Sequence, residues 1–275
     1  MIQNNNFSVL PFYDNIKWQH QNKPYAFGSI YPLYVDAKSI IPFQFSVLRI
    51  DDTLVSQLGR FIEKATLIDA STGLKTDITA YIADSAYRNT IQDVDYIVYT
   101  ASKSFAKKLA VGQYYIYIQF VDEQEVYSEV ITIVDNIEDY LRVEWWDNAD
   151  LDFDSGSIIY KAPSFKHILY LNTDIGKPEY KFEEEGKERD GYFFAEKQLS
   201  EKVYKFAFVA PEFLCDAFRF VRLSDNIHVF KNGIQYNVDS FLAEVAWQEQ
   251  GDLASIDVEF KTNTVVKKIA AMWPQ

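Results

Sequence analysis

The run Tyr114-Tyr115-Ile116-Tyr117-Ile118-Gln119-Phe120 constrains this 275-residue chain more than any other feature. Side chains on a strand point alternately to two faces. The run therefore offers Tyr114, Ile116, Ile118 and Phe120 to a core and turns Tyr115 and Tyr117 the other way. A helix would scatter the same residues around its circumference. Alternating runs of this kind recur along the chain. Its 21 Phe and 19 Tyr suit the pleated surface of a sheet and also the cores of protein interfaces. The expectation is a mainly β protein.

Turn chemistry divides that β content. Pro11, Pro24, Pro32 and Pro42, interleaved with aromatics, make residues 1–45 a region of edge strands and extended connections. Strands are expected over 43–50, 65–69, 76–82 and 96–100, with Ser71-Thr72-Gly73 as the turn before 76–82. A hairpin of 113–121 and 127–134 closes the first β-sandwich. The polar segment Asp135-Asn136-Ile137-Glu138-Asp139 then separates domain 1–136 from domain 137–275. In the second domain strands are expected over 141–146, 157–160, 166–171 and 203–209, the last with Tyr204, Phe206 and Phe208 on one face. The charged segment 183–191 reads as an exposed hairpin loop. A short amphipathic helix is expected over 212–223 after Pro211, and Asn232-Gly233 joins strands 228–230 and 235–238. The closing strand turns Ile256, Val258 and Phe260 inward and Asp257 and Glu259 outward. The fold class is thus mainly β, with two sandwich-like β domains, the second bearing one short amphipathic helix.

Charge and cysteine content narrow the function classes. A net charge of −13 disfavours general attraction to nucleic acid or to an anionic membrane, so neither is expected as a partner. Cys215 is the only cysteine, so no intrachain disulfide can form and a reducing compartment is expected. The segment Met1-Ile2-Gln3-Asn4-Asn5-Asn6 lacks a basic stretch followed by an apolar one. No cysteine near it suits a lipid anchor, and no apolar run approaches the roughly 20 residues that span a bilayer. The chain is expected to be made in the cytoplasm without a signal peptide.

No catalytic constellation stands out. G-x-S-x-G, Walker and G-x-G-x-x-G patterns are missing, and His20, His167 and His228 lie too far apart for zinc spacing. Glycosidase chemistry needs only two carboxylates across a cleft, a pattern that no spacing encodes. Asp150, Asp152 and Asp154 alternate as the first ligands of a calcium loop do. Ser155 and Lys161, however, stand where an EF-hand needs Gly and Glu, and Leu151 and Phe153 turned inward from a short strand give the same alternation. No cofactor is expected, with those aspartates kept as calcium candidates. Cys215, next to Leu214 on the expected helix, reads as a buried inert thiol. In Leu141-Arg142-Val143-Glu144-Trp145-Trp146 one face takes Leu141, Val143 and Trp145, which leaves Trp146 beside Arg142 and Glu144. Trp146, Tyr115 and Tyr117 are therefore the candidate binding residues, open to coverage within the chain, to a protein interface, or to a sugar ring.

Gly191-Tyr192-Phe193-Phe194, 200–206, Ala210-Pro211-Glu212, 247–254 and 264–269 resemble prophage-encoded proteins of tailed-phage virions, mainly across the second half. Two β-rich domains with an acidic balance are similar to the layout of distal tail and baseplate proteins. The resemblance implies a non-enzymatic structural protein of a phage-derived particle, whose partners are other virion or tail proteins or itself. It transfers no active-site residue, and no ring-forming belt hairpin can be assigned. The alternative is a carbohydrate-binding or adhesin-like module with a glycan partner. A hydrolase is the third reading.

Overall fold

The computed structural model describes residues 2–3, 8–14, 33–39, 42–48, 62–89, 94–101, 108–121, 123–148, 165–247 and 253–269. In chain order the first half contributes β1 (Ile2–Gln3), β2 (Phe12–Asp14), β3 (Leu33–Asp36), β4 (Phe43–Leu48), β5 (Ile62–Asp69) and β6 (Lys75–Asp77). It continues with β7 (Ile82–Asn89), β8 (Val94–Ala101), β9 (Gly112–Phe120), β10 (Glu125–Ser128) and β11 (Ile131–Val134). The second half contributes β12 (Leu141–Trp146), β13 (His167–Leu171), β14 (Glu179–Arg189), β15 (Tyr192–Pro211), the helix α1 (Glu212–Phe218), β16 (Asn226–Lys231), β17 (Ile234–Trp247) and β18 (Leu253–Ile269). The protein is mainly β, in keeping with two sandwich-like domains, and α1 is its one α-helix among the described residues. No helix among them is long and apolar enough to cross a membrane.

Two sheets face each other in the first half. One has the order β1-β4-β8-β7. The other has the order β2-β10-β9-β11-β3, with β5 also on β9 and β6 on β5. Strand β9 alternates as its sequence requires: Tyr114, Ile116, Ile118 and Phe120 are buried, while Tyr115 and Tyr117 are half-buried on the other face. Phe12 lies 4.8 Å from Phe43 and 5.1 Å from Phe45, and Phe45 meets Phe120 edge-on at 6.3 Å, so aromatic rings join the two sheets. Each such fully buried ring contributes about 2–3 kcal/mol through loss of apolar surface from water.

Two departures from the expected strands have local causes. The partner strand of β9 breaks into β10 and β11. Between the pairs Tyr127↔Tyr117 and Ile131↔Tyr114 it carries one residue more than β9, which is a bulge. Ser128 Oγ fills the gap by accepting the Ile116 N–H at 2.8 Å, and the Glu129 N–H donates to the Pro11 carbonyl at 3.1 Å. The strand expected over 76–82 is likewise two strands in different sheets. Asp77 Oδ1 accepts both the N–H and the hydroxyl of Thr79, at 2.9 and 2.7 Å. The 3₁₀ turn Thr79–Tyr81 that this starts carries the chain from β6 across to β7.

The third sheet has the order β13-β12-β16-β17-β18-β15-β14. A 3₁₀ turn at Ile137–Asp139 leads into it, within the polar segment expected to part the domains. Helix α1 is shorter than the expected 212–223: it stops at Phe218, and the chain tightens through Arg219 and Phe220 into the 3₁₀ turn Val221–Leu223. Its buried side, Leu214, Cys215, Ala217 and Phe218, plugs the inner face of the sheet. Phe218 meets Phe208 at 5.2 Å, Phe241 at 5.5 Å and Trp145 at 6.2 Å, all edge-on or steeply inclined. Cys215 is 7% exposed, and its thiol is pushed up to about 11, chiefly by burial. Ile256, Val258 and Phe260 are buried, with Asp257 exposed and Glu259 half-buried between them, as the alternation requires. The expected loop over 183–191 is instead strand. Only Asp190 and Gly191, at φ 54° and 78°, form the turn between β14 and β15. Pairs across the two strands hold the charged segment extended, with Lys197 3.0 Å from Glu185, Gln198 2.8 Å from Glu184 and Lys187 2.9 Å from Glu196.

Candidate interaction surfaces

On the outer face of β9, Tyr117 stands in register with Tyr127 of β10, which in turn stands opposite Tyr13 of β2. Tyr117 and Tyr127 converge on one carboxylate. Tyr117 Oη donates to Glu125 Oε1 at 2.6 Å and Tyr127 Oη to Oε2 at 3.1 Å. Their rings are 5.2 Å apart, and Tyr115 lies 6.4 Å from Tyr127. Burial first, then the bond to Glu125, holds the Tyr117 phenol far above its usual range and pushes Tyr127 up to about 12. Burial alone raises Tyr115. The structure thus brings Tyr115 and Tyr117 together as one side of a tyrosine shelf, whose polar tips are largely committed within the chain.

Trp146 is also covered from inside the chain. Its place on β12 puts it opposite Asn226 of β16, and His228, two residues on, meets its ring edge-on at 4.7 Å. The Lys166 ammonium lies 4.4 Å over the same ring, a cation–π contact. Lys166 and Arg142 both pair with Glu144 at 3.1 Å, and the Arg142 guanidinium covers Phe230 at 3.9 Å. Glu144 is only 6% exposed, so these two cations compensate a charge that would otherwise be stranded. Burial lowers the His228 pKa, as does the charge of Lys166, against the opposing pull of Glu144. Trp146 and the tyrosine shelf belong to different sheets. Asp150, Asp152 and Asp154 lie outside the described residues, as does the strand expected over 157–160. Among the described residues no group of three His, Cys, Asp or Glu side chains comes together as a metal site.

More exposed apolar side chains lie elsewhere among the described residues. Tyr180 and Phe182 of β14, Tyr192 and Phe193 of β15 and Val266 of β18 are 53–72% exposed. Register places Phe182 and Val266 on either side of Ser200, with Tyr180 two residues along on the Phe182 face. This part of the sheet is an arm. Strand β17 pairs with β18 only as far as Thr262, so among the described strands 265–269 of β18 continue the sheet with β15, which carries β14 on its other side. At the other end of the sheet, Val245 and Trp247 on β17 are 43% and 51% exposed. Beyond Asn237 that strand pairs only with β18 among the described strands. Aromatics bracketing the charged run 183–190 were the sequence signal for the arm. Reading that run as a loop hid it, because a loop says nothing about which face its flanking rings share.

No family model matches the chain, and no curated protein matches it.

Proposed function

We propose that this chain is a non-enzymatic assembly subunit, built to be covered by identical or related subunits. The setting implied by the sequence resemblance is a phage-derived particle of the tail or baseplate kind. The observation that carries the reading is the arm of β14, β15 and β18, with its five large apolar side chains in water. Ordering each residue of such an arm costs about 1–2 kcal/mol of backbone entropy, and burial within the chain does little there to offset it. Aromatics in contiguous exposed patches are the composition of an interface core, and an edge strand such as β14 is a template that natural proteins cover. Charged pairs across the arm, including Lys197 with Glu185 at 3.0 Å, keep it extended and soluble until a partner arrives.

A second reading rests on the tyrosine shelf: Tyr115, Tyr117 and Tyr127 around Glu125 offer ring faces of the sort that stack on sugars, which would make the chain a carbohydrate-binding module. Light scattering across a range of protein concentrations separates the two. The assembly reading expects mass that rises to a discrete oligomer or a growing series. A strict monomer that binds glycans on an array, and loses them on Tyr117→Ala, would replace it with the second reading.

A further inference from the structure

The two exposed apolar clusters of the third sheet sit at opposite ends of the same strands. Val266 marks the arm, and Ala254, which pairs with Trp247, marks the base. Twelve residues of β18 separate them, or roughly 40 Å at strand rise. Arm and base of one molecule therefore cannot cover each other. Each molecule offers one of each.

We infer that the chain associates with itself head to tail, the Tyr180–Phe182–Val266 face of one copy lying on the Val245–Trp247 end of the next. This rests on the assembly reading above and adds to it the partner, a second copy, and the polarity of the contact. Charge supports the choice of partner. Over 179–202 and 261–269 acidic and basic residues balance, so the arm is neutral within a chain of net charge −13. It is the part that can approach another acidic copy without like-charge repulsion. The shared chemistry of the two ends supports it too, since both present flat aromatic and branched aliphatic groups, and β17 beyond Asn237 has its second edge unmatched by any described strand. A contact between different patches is heterologous, so it propagates from copy to copy until it closes or is capped.

The test is complementation between two double variants, Phe182→Thr with Val266→Thr in the arm and Val245→Thr with Trp247→Thr at the base. Threonine keeps strand propensity, and all four side chains are exposed in the single chain, so unfolding midpoints equal to the parent establish that the variants fold. Each variant alone is expected to be monomeric, with self-association weakened at least about 10-fold. An equimolar mixture is expected to give a 1:1 dimer that grows no further, because one copy keeps its arm and the other its base. Loss of association in the arm variant alone would overturn the inference in favour of arm on arm. Oligomers unchanged in both variants, or a mixture that stays monomeric, would overturn it while leaving the assembly reading in place. A parent chain monomeric at every concentration would remove self-association altogether.

Discussion

At the scale of single residues, burial decides which groups respond to pH. His167 is 3% exposed, stacked on Trp145 at 5.1 Å and 13° and edge-on to Phe165 at 4.7 Å, and burial lowers it from 6.5 to about 3. Below about pH 6.5 the unfolded chain binds a proton at this histidine that the folded chain refuses. Unfolding therefore takes up a proton, and stability falls as pH drops towards the folded value. The loss is about 1.4 kcal/mol per pH unit through that window. Urea titrations at pH 6.5 and 5.5 are expected to show that extra slope in the parent chain and not in His167→Gln; equal slopes would mean that the folded protein already carries the charge. Glu129 pulls the other way, because burial raises its carboxyl, and the comparison with His167→Gln separates the two. The place of His167 near the head of an apolar strand followed from the sequence. Its stacking partner did not, because Trp145 reaches it only through the antiparallel register of β12 and β13.

At the scale of elements, the same turn chemistry serves a hairpin of the packed sheet and one at the tip of the arm. Asn232-Gly233 joins β16 to β17 with φ of 51° and 74°, and Asp190-Gly191 joins β14 to β15 with 54° and 78°. In both, a β-carbon on the glycine meets open space, so the cost of alanine there is backbone strain, about 1–2 kcal/mol. Gly233→Ala is expected to lower global stability by that amount in urea unfolding, since β16 and β17 are part of the packed sheet. Gly191→Ala carries the same strain at the tip of an arm that buries little. It is expected to leave global unfolding nearly unchanged while accelerating amide exchange along 183–195. Equal global losses would mean that the arm unfolds with the rest as one unit. The Asn-Gly hairpin was legible in the sequence. The Asp-Gly one was hidden in the charged run, because the cross-strand pairs that make it a strand exist only once β14 and β15 are aligned.

At the scale of the whole molecule, net charge opposes what the apolar clusters favour. Copies carrying −13 repel, and the repulsion is screened over about 10 Å at 0.1 M salt. Because the arm is neutral and its contact apolar, raising sodium chloride from roughly 0.02 to roughly 0.5 M is expected to strengthen self-association in sedimentation experiments. Weakening with salt would instead make ion pairs the main attraction and shift attention to the charged faces of β14 and β15.

The sequence by itself determined the β class, the inward and outward faces of β9, β12 and β18, the helix after Pro211 and the Asn-Gly hairpin. Each of these follows from alternation or from backbone chemistry within a few residues. Only the tertiary structure decided that 76–82 crosses between sheets, that 183–189 is strand, and which aromatics meet water. Trp146 and Phe182 look alike in sequence, each an aromatic that shares its strand face or its flank with charged residues. Lys166 and His228 cover the first, whereas the second stands beyond the reach of β17. Exposure is set by which strands end where, and that is a property of pairing between distant segments.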